Sequence, residues 1–211
     1  MFQSNFDIPL RDGELNTTIR LDYINGNFDR NYLTMEELRY GNFQLGVTPS
    51  YQLIKDDLTV NLGASIFYLN DTEQSDNKFF IYPNIEASYR LVDEILIAYG
   101  GIQGDLIQNS YYGFASQNPF VSPTLYIQRT NQQYNAYAGI KGLLNSKVRF
   151  NLKAAYINEK DKPLYKLNPS LTDGSVELDK GYEAANSFQV VYDDVNTIYF
   201  NGEIIFDLFK E

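Results

Sequence analysis

Leu58-Thr59-Val60-Asn61-Leu62-Gly63-Ala64-Ser65-Ile66-Phe67-Tyr68 decides the fold class of this chain. Its even positions are Leu58, Val60, Leu62, Ala64, Ile66 and Tyr68, while its odd positions include Thr59, Asn61, Gly63 and Ser65. Successive side chains of a β-strand point to opposite faces, so the stretch reads as a strand with one apolar and one polar face. A helical stripe repeats every ~3.6 residues and does not produce this split.

The same period runs outward in both directions. Upstream, Phe43, Leu45, Val47, Pro49, Tyr51 and Leu53 alternate with Asn42, Gln44, Gly46, Thr48, Ser50 and Gln52. Before that, Leu15, Thr17, Ile19, Leu21 and Tyr23 alternate with Glu14, Asn16, Thr18, Arg20 and Asp22. Downstream, Ile81, Pro83, Ile85, Ala87, Tyr89 and Leu91 alternate with Tyr82, Asn84, Glu86, Ser88 and Arg90. Later segments around Tyr134–Lys141, Val148–Tyr156 and Ile198–Leu208 repeat the pattern less cleanly. Only Met35–Tyr40 has a briefly helical look.

The pattern predicts an all-β chain of about ten strands, near 2–10, 14–24, 40–53, 58–69, 80–91, 95–106, 126–142, 148–157, 184–193 and 197–209. Most of these exceed the ~5–6 residues of an ordinary globular strand and match the ~9–11 residues of a tilted membrane strand. Pro49 lacks an amide for the ladder and predicts a bulge or strand end. Gly100, Gly101 and Gly104 predict a weakened or bent sixth strand.

Connections alternate in length. Arg11-Asp12-Gly13, Lys55-Asp56-Asp57, Val92-Asp93-Glu94, Asn145-Ser146-Lys147 and Asp194-Val195-Asn196 are short, whereas 25–39, 70–78, 107–132 and 158–183 are long. Short turns at one end and long loops at the other are the habit of up-and-down membrane barrels. The expected architecture is an antiparallel up-and-down transmembrane β-barrel, one domain over residues 1–211, forming part of a larger barrel. Counting ten strands places both chain ends on the long-loop side. No secretory leader is read in Met1–Asp7, and no apolar run approaches the ~20 residues of a membrane helix.

In such a barrel the apolar faces meet outer-membrane lipid, with Tyr23, Tyr51, Tyr68, Tyr89 and Tyr156 near strand ends as interface residues. The polar faces line a wet lumen, and Arg20, Asp22, Glu86, Arg90, Arg149 and Lys153 are its expected charged lining. Alternation alone also fits a soluble or secreted β-barrel or sandwich that binds a ligand, with the apolar face as core. A third reading is a surface protein whose long loops bind periplasmic or surface partners.

Composition narrows the chemistry. The 211 residues hold 27 Asp plus Glu against 17 Lys plus Arg, a net charge of -10, so nucleic acid is not an expected partner. The chain has no Cys and no His, which removes thiolate sites and the usual general base and metal ligand. Tyr (18) and Phe (14) are abundant, as strands and interface girdles favour. Gly100–Gly104 is not followed by a helix and is no phosphate loop. Asp71, Glu73, Asp76 and Asn77 lack the spacing of a calcium loop, and Glu159-Lys160-Asp161-Lys162 reads as a solvated charge run. The chain is expected to be no enzyme and to need no cofactor or metal. A small solute is the expected cargo.

Ala98-Tyr99-Gly100-Gly101, Gln117–Leu125, Tyr137–Gly142 and Ala155–Tyr165 resemble the barrel portion of TonB-dependent-receptor-like outer-membrane proteins of Gram-negative bacteria. The resemblance covers residues 80–211 and implies an outer-membrane barrel of transport type. Those receptors carry a plug domain and a TonB box, neither of which is read in this sequence, and no functional residue transfers.

Overall fold

The structure, a computed structural model, describes residues 2–10, 13–32, 34–73, 76–92, 95–172 and 185–206. Nine strands form one sheet in sequence order: β1 (Phe2–Leu10), β2 (Gly13–Phe28), β3 (Leu38–Lys55), β4 (Leu58–Asp71), β5 (Asp76–Val92), β6 (Leu96–Ile107), β7 (Thr130–Asn145), β8 (Val148–Leu167) and β9 (Phe188–Phe206). Every neighbouring pair is antiparallel. Among the described residues one short helix, α1 (Tyr111–Gln117), sits in the β6–β7 connection.

Among the described residues nine strands stand where the pattern predicted about ten. Asp194, Val195 and Asn196 do not turn; they lie within β9 opposite Glu159 and Asn158 of β8. The Asn196 side chain accepts from Asn158 Nδ2 at 2.6 Å and Tyr156 Oη at 3.1 Å, so its polar group serves the neighbouring strand instead of a turn. One fewer strand reverses the end of the sheet. Phe206 pairs with Val148, beside the short 146–147 turn, so β9 ends on the short-turn side, not the long-loop side.

Other boundaries differ in instructive ways. Met35 is left-handed at φ 57 and Leu38 already belongs to β3, so the helical look of 35–40 is not realised. The helix forms instead where Ser110 caps it, accepting from Gly113 N at 3.1 Å. Pro49 shifts no register: it pairs with Thr17, and β3 keeps step with β4 from Val47↔Ile66 to Ser50↔Gly63 while two rungs between them are missing. β6 stays regular through Gly100 and Gly101, and the β6–β7 register shifts by one between Gln103 and Asp105, where the extra residue lies on β7 opposite Gly104.

Burial is inverted relative to a water-soluble protein. Ile81 is 74% exposed, Phe200 78% and Leu62 52%, whereas Gln44 is fully buried and Asp22 is 4% exposed. Exposed large apolar side chains lie along one face of the sheet, on every strand except β6. Exposed apolar area of this extent marks a surface that meets lipid or a partner. Its height agrees. From the Tyr68–Phe79 rung to the Leu58–Tyr89 rung is ten residues of β4, roughly 34 Å along the strand and about 26 Å along the normal at a ~40° tilt. This equals the ~25 Å apolar band of outer-membrane barrels, with tyrosines at both margins.

Candidate functional site

The face opposite the apolar belt is the candidate site. Register fixes its membership, because residues directly paired across strands share a face. Arg20 and Asp22 of β2, Glu86 and Arg90 of β5, and Arg149 and Lys153 of β8 all lie on it. Arg20 also reaches Asp105 of β6, four strands away, at 2.8 and 3.1 Å. Only a concave surface brings such distant strands together, so this is the inner face.

The six charged residues do not form one cluster. Arg20 and Asp22 belong to an upper group near the long-loop end, 3.5 Å apart, with Asp105 and the Leu106 carbonyl, the latter 2.6 Å from Arg20 Nη2. Glu86 and Lys153 meet in the middle through Tyr137. The Tyr137 hydroxyl donates to Glu86 at 2.7 Å, and Lys153 Nζ stands 4.2 Å over the Tyr137 ring. Gln103 also donates to Glu86, at 2.5 Å. Arg90 and Arg149 are exposed at the short-turn rim; the Arg90 amide donates to the Asp57 carbonyl at 3.0 Å.

Glycines make these long reaches possible. A Cβ on Gly101 would stand 2.6 Å from the Ile85 carbonyl and 2.9 Å from Tyr137 Oη, because Tyr137 of β7 lies across it to reach β5. Tyr99 of β6 crosses Gly139 of β7 in the same way and donates to Asn151 of β8 at 2.6 Å. Tyr82 lies against Gly104 and reaches Asn131 of β7 at 2.9 Å. Phe67 rests against Gly46 with the Arg20 guanidinium 4.7 Å above its ring. Each ring fills the space its neighbour's missing side chain leaves, tying strands that share no backbone rung.

The long-loop end of this face is covered from within. Residues 126–129, expected in the seventh strand, belong instead to a cap of residues 108–129 that contains α1. Phe114, Val121, Leu125 and Ile127 pack with Tyr40 of β3, against Ile24 and Phe28 of β2 and Tyr165, Val190 and Tyr192 of β8 and β9. The upper β8–β9 hairpin leans over the cap: Tyr192 Oη donates to the Tyr126 carbonyl at 3.0 Å, and Ser122 N donates to the Phe188 carbonyl at 2.7 Å. Across the mouth, Tyr32 Oη reaches the Pro169 carbonyl at 3.0 Å. The 159–162 charge run is part of this architecture. Glu159 is buried, ion-paired with Lys162, and sits at a bulge in β8.

Arg129 latches the cap to the wall. Its Nη1 donates to Gln44 Oε1, and Gln44 Nε2 donates to the Leu106 carbonyl at 3.1 Å. Burial pushes the Arg129 guanidinium down to about 10, opposed by the nearby Asp22 carboxylate. Arg129, Gln44 and Asp105 were not among the residues expected from sequence. Arg129 fell inside an expected strand, and Gln44 was one polar residue in an alternating row. Beneath the cap the inner face leaves a polar recess of about 350 Å³, bordered by Thr18, Ser65, Asn84, Gln103 and Asp105 among others. Among the described residues no three His, Cys, Asp or Glu side chains gather as a metal site.

No protein-family model matches the chain, and no curated protein does. Solved structures do. The pyoverdine outer membrane receptor FpvA from Pseudomonas aeruginosa PAO1, bound to pyoverdine, is 15% identical with a TM-score of 0.53 over 99% of this chain and 32% of its own. The copper transporter OprC is 13% identical with a TM-score of 0.56 over 97% of this chain and 34% of its own. The FpvAI–pyocin S2 complex is 14% identical with a TM-score of 0.52 over 99% and 29%. The chain thus spans about a third of the length of the structures it matches. The likeness shows the fold, that of an outer-membrane-type β-barrel wall.

Proposed function

We propose that this chain forms part of the wall of a transport barrel in the outer membrane, with its inner face lining the path of a small polar solute. Arg20, Asp22, Glu86, Arg90, Arg149 and Lys153 line that path, and the 108–129 cap regulates entry from the long-loop end. The observation that carries the reading is the pairing of a buried, hydrogen-bonded polar face with an exposed apolar belt about as tall as a bilayer core. A soluble fold would place those faces the other way round. Neighbours whose names describe a receptor bound to pyoverdine and a copper transporter support transport over catalysis. A neighbour in complex with a pyocin supports the long-loop end as a place where surface proteins bind.

The test is access through the mouth. Single cysteines at Ser65 and Asn84, in intact cells, are treated with small and large charged thiol reagents from outside. Slow labelling by the small reagent that speeds up when residues 111–127 are replaced by a short linker supports a gated path. Labelling that ignores both reagent size and the cap sinks it.

A further inference from the structure

Below the level of Tyr137 the inner face carries charge that the protein itself does not match. Among the described residues of β5 to β8, from that level to the short-turn rim, it holds Arg90, Lys141, Arg149 and Lys153 against one carboxylate, Glu86. Glu86 is served by neutral donors, Gln103 at 2.5 Å and the Tyr137 hydroxyl at 2.7 Å, and makes no ion pair with Lys141 or Lys153. Glu203 of β9 lies opposite Asn151 and pairs with neither lysine as well. The two ammoniums meet ring faces instead. Lys141 Nζ stands 5.6 Å from the centre of the Tyr99 ring, and Lys153 Nζ 4.2 Å from that of Tyr137.

These lysines are diagonal neighbours. Lys141 of β7 pairs with Asn151 of β8, and Lys153 of β8 pairs with Gly139 of β7. Diagonal positions of an antiparallel pair lie ~7–8 Å apart. Two like charges at that range repel unless something negative stands between them. Asn151 lies beside the gap. Its Oδ1 accepts from the Tyr99 hydroxyl at 2.6 Å, which leaves its Nδ2 as a donor with no partner in the protein. A hollow of about 200 Å³ opens next to Lys141, with Asn61, Glu86, Ser88, Tyr99 and Tyr137 on its wall.

We infer that this panel binds the oxyanion group of a small solute, a carboxylate or a phosphate, between Lys141 Nζ and Lys153 Nζ, with Asn151 Nδ2 as a third donor. The set offers donors only, as an oxyanion requires. Charge-assisted N–H···O bonds are ~2.7–2.9 Å long, so one group with two or more oxygens reaches both ammoniums across the gap. The floor is the Tyr99 ring seated over Gly139. Both rings are held by their hydroxyl bonds, to Glu86 and to Asn151, so the donors are ordered before a solute arrives and less freedom is lost on binding. The inference rests on the proposed reading of the inner face as a solute path, and adds the charge of the solute.

The test is protection of the two lysines, with the protein in outer-membrane vesicles. A water-soluble amine-acylating reagent is added, and mass spectrometry reads the rates at Lys141, Lys153 and the exposed turn residue Lys147. Inorganic phosphate and succinate are the probes, and chloride at equal ionic strength is the control. The expected result is that one probe slows Lys141 and Lys153 together at least about tenfold, the protection given by a ligand at ~10 times its Kd, with Lys147 unchanged. Which probe acts distinguishes phosphate from carboxylate. Lys153→Gln should abolish the protection of Lys141, and Lys153→Arg should keep it. If both lysines label in the vesicles and no probe slows them, the inference falls while the wet inner face stands. If neither labels until the protein is unfolded, the panel is closed to water or covered by protein, and the inference falls together with the path reading. Equal protection by chloride would show screening alone and overturn the inference. The wild-type measurement needs no substitution, so a variant that fails to insert leaves the inference decidable.

Discussion

Tyr137 lies across Gly101 and gives its hydroxyl to Glu86 at 2.7 Å, joining β7 to β5 over the strand between them. The contact holds because the middle strand has no side chain at that rung. Gly101→Ala places a methyl 2.6 Å from the Ile85 carbonyl and 2.9 Å from the tyrosine oxygen, so ring or backbone must shift. Overpacking of this kind costs about 1–3 kcal/mol. Tyr137→Phe removes only the hydroxyl and leaves Glu86 its bond from Gln103, at about 1 kcal/mol. Urea unfolding in lipid vesicles should therefore rank Gly101→Ala as the more damaging change. The reverse order would mean that the close approach of ring and strand is unimportant.

The Arg129 latch predicts an asymmetry between its two partners. Gln44→Leu strands a buried guanidinium whose Nε and Nη2 already lack hydrogen-bond partners, at a cost of about 3–5 kcal/mol. Arg129→Met removes the buried charge together with its need for a partner, and Gln44 keeps its bond to the Leu106 carbonyl, so about 1–3 kcal/mol is expected. The double variant should be no worse than Gln44→Leu alone. Equal effects of the two single changes would indicate that the charge at Arg129 is not what makes the site sensitive.

Tyr192 holds the cap from the side of β9, donating to the Tyr126 carbonyl at 3.0 Å and accepting from the Gln128 amide at 3.2 Å. Tyr192→Phe leaves both backbone groups without this partner. The cap should open more often, with protease cleavage within 108–129 rising roughly tenfold for a loss of ~1.4 kcal/mol. Cleavage unchanged by the substitution would show that the apolar cluster alone keeps the cap seated.

Cysteine labels at Leu62, Ile85 and Leu152, set against Asn61, Glu86 and Lys153, test the assignment of faces. Leu62 pairs with Ile85, and Asn61 pairs with Glu86 one residue along, so each comparison moves a label by one position and across the wall. A lipid-phase quencher should reach the first three, and a water-soluble reagent should reach Asn61, Glu86 and Lys153. Protection of the apolar three with no detergent or lipid present would favour the soluble fold.

Much of this was legible in the sequence because one physical rule dominates it. The period of two around Leu62 and Ile85 agrees with the register, in which Arg20, Asp22, Glu86 and Lys153 share the face opposite those two. Alternating connection lengths placed 25–39, 107–132 and 158–183 at one end, whereas 70–78 is no long loop, because Asn70 pairs with Asn77 and Asp71 with Asp76. Local rules failed where a polar residue had two possible uses. Asp194 and Asn196 have turn chemistry, yet Asn196 spends it on Asn158 and Tyr156 in the neighbouring strand. The cap was illegible for a related reason. Tyr126, Ile127 and Arg129 alternate well enough for a strand, but their partners are Tyr192, the Tyr40 cluster and Gln44, which lie 85 positions from Arg129 in the last case. No local periodicity encodes a contact of that separation.

The rings that lie over glycines have a mechanical consequence. A sheet held only by rungs between adjacent strands bends easily about each strand, like a slatted blind about its cords. Tyr137 and Tyr99, each spanning three strands and crossing in opposite directions through Gly101 and Gly139, act as cross-braces over four consecutive slats, from β5 to β8. Changing the curvature of that four-strand panel strains both braces at once. If the proposed cap opens, the braced panel is expected to stay a fixed surface against which it moves.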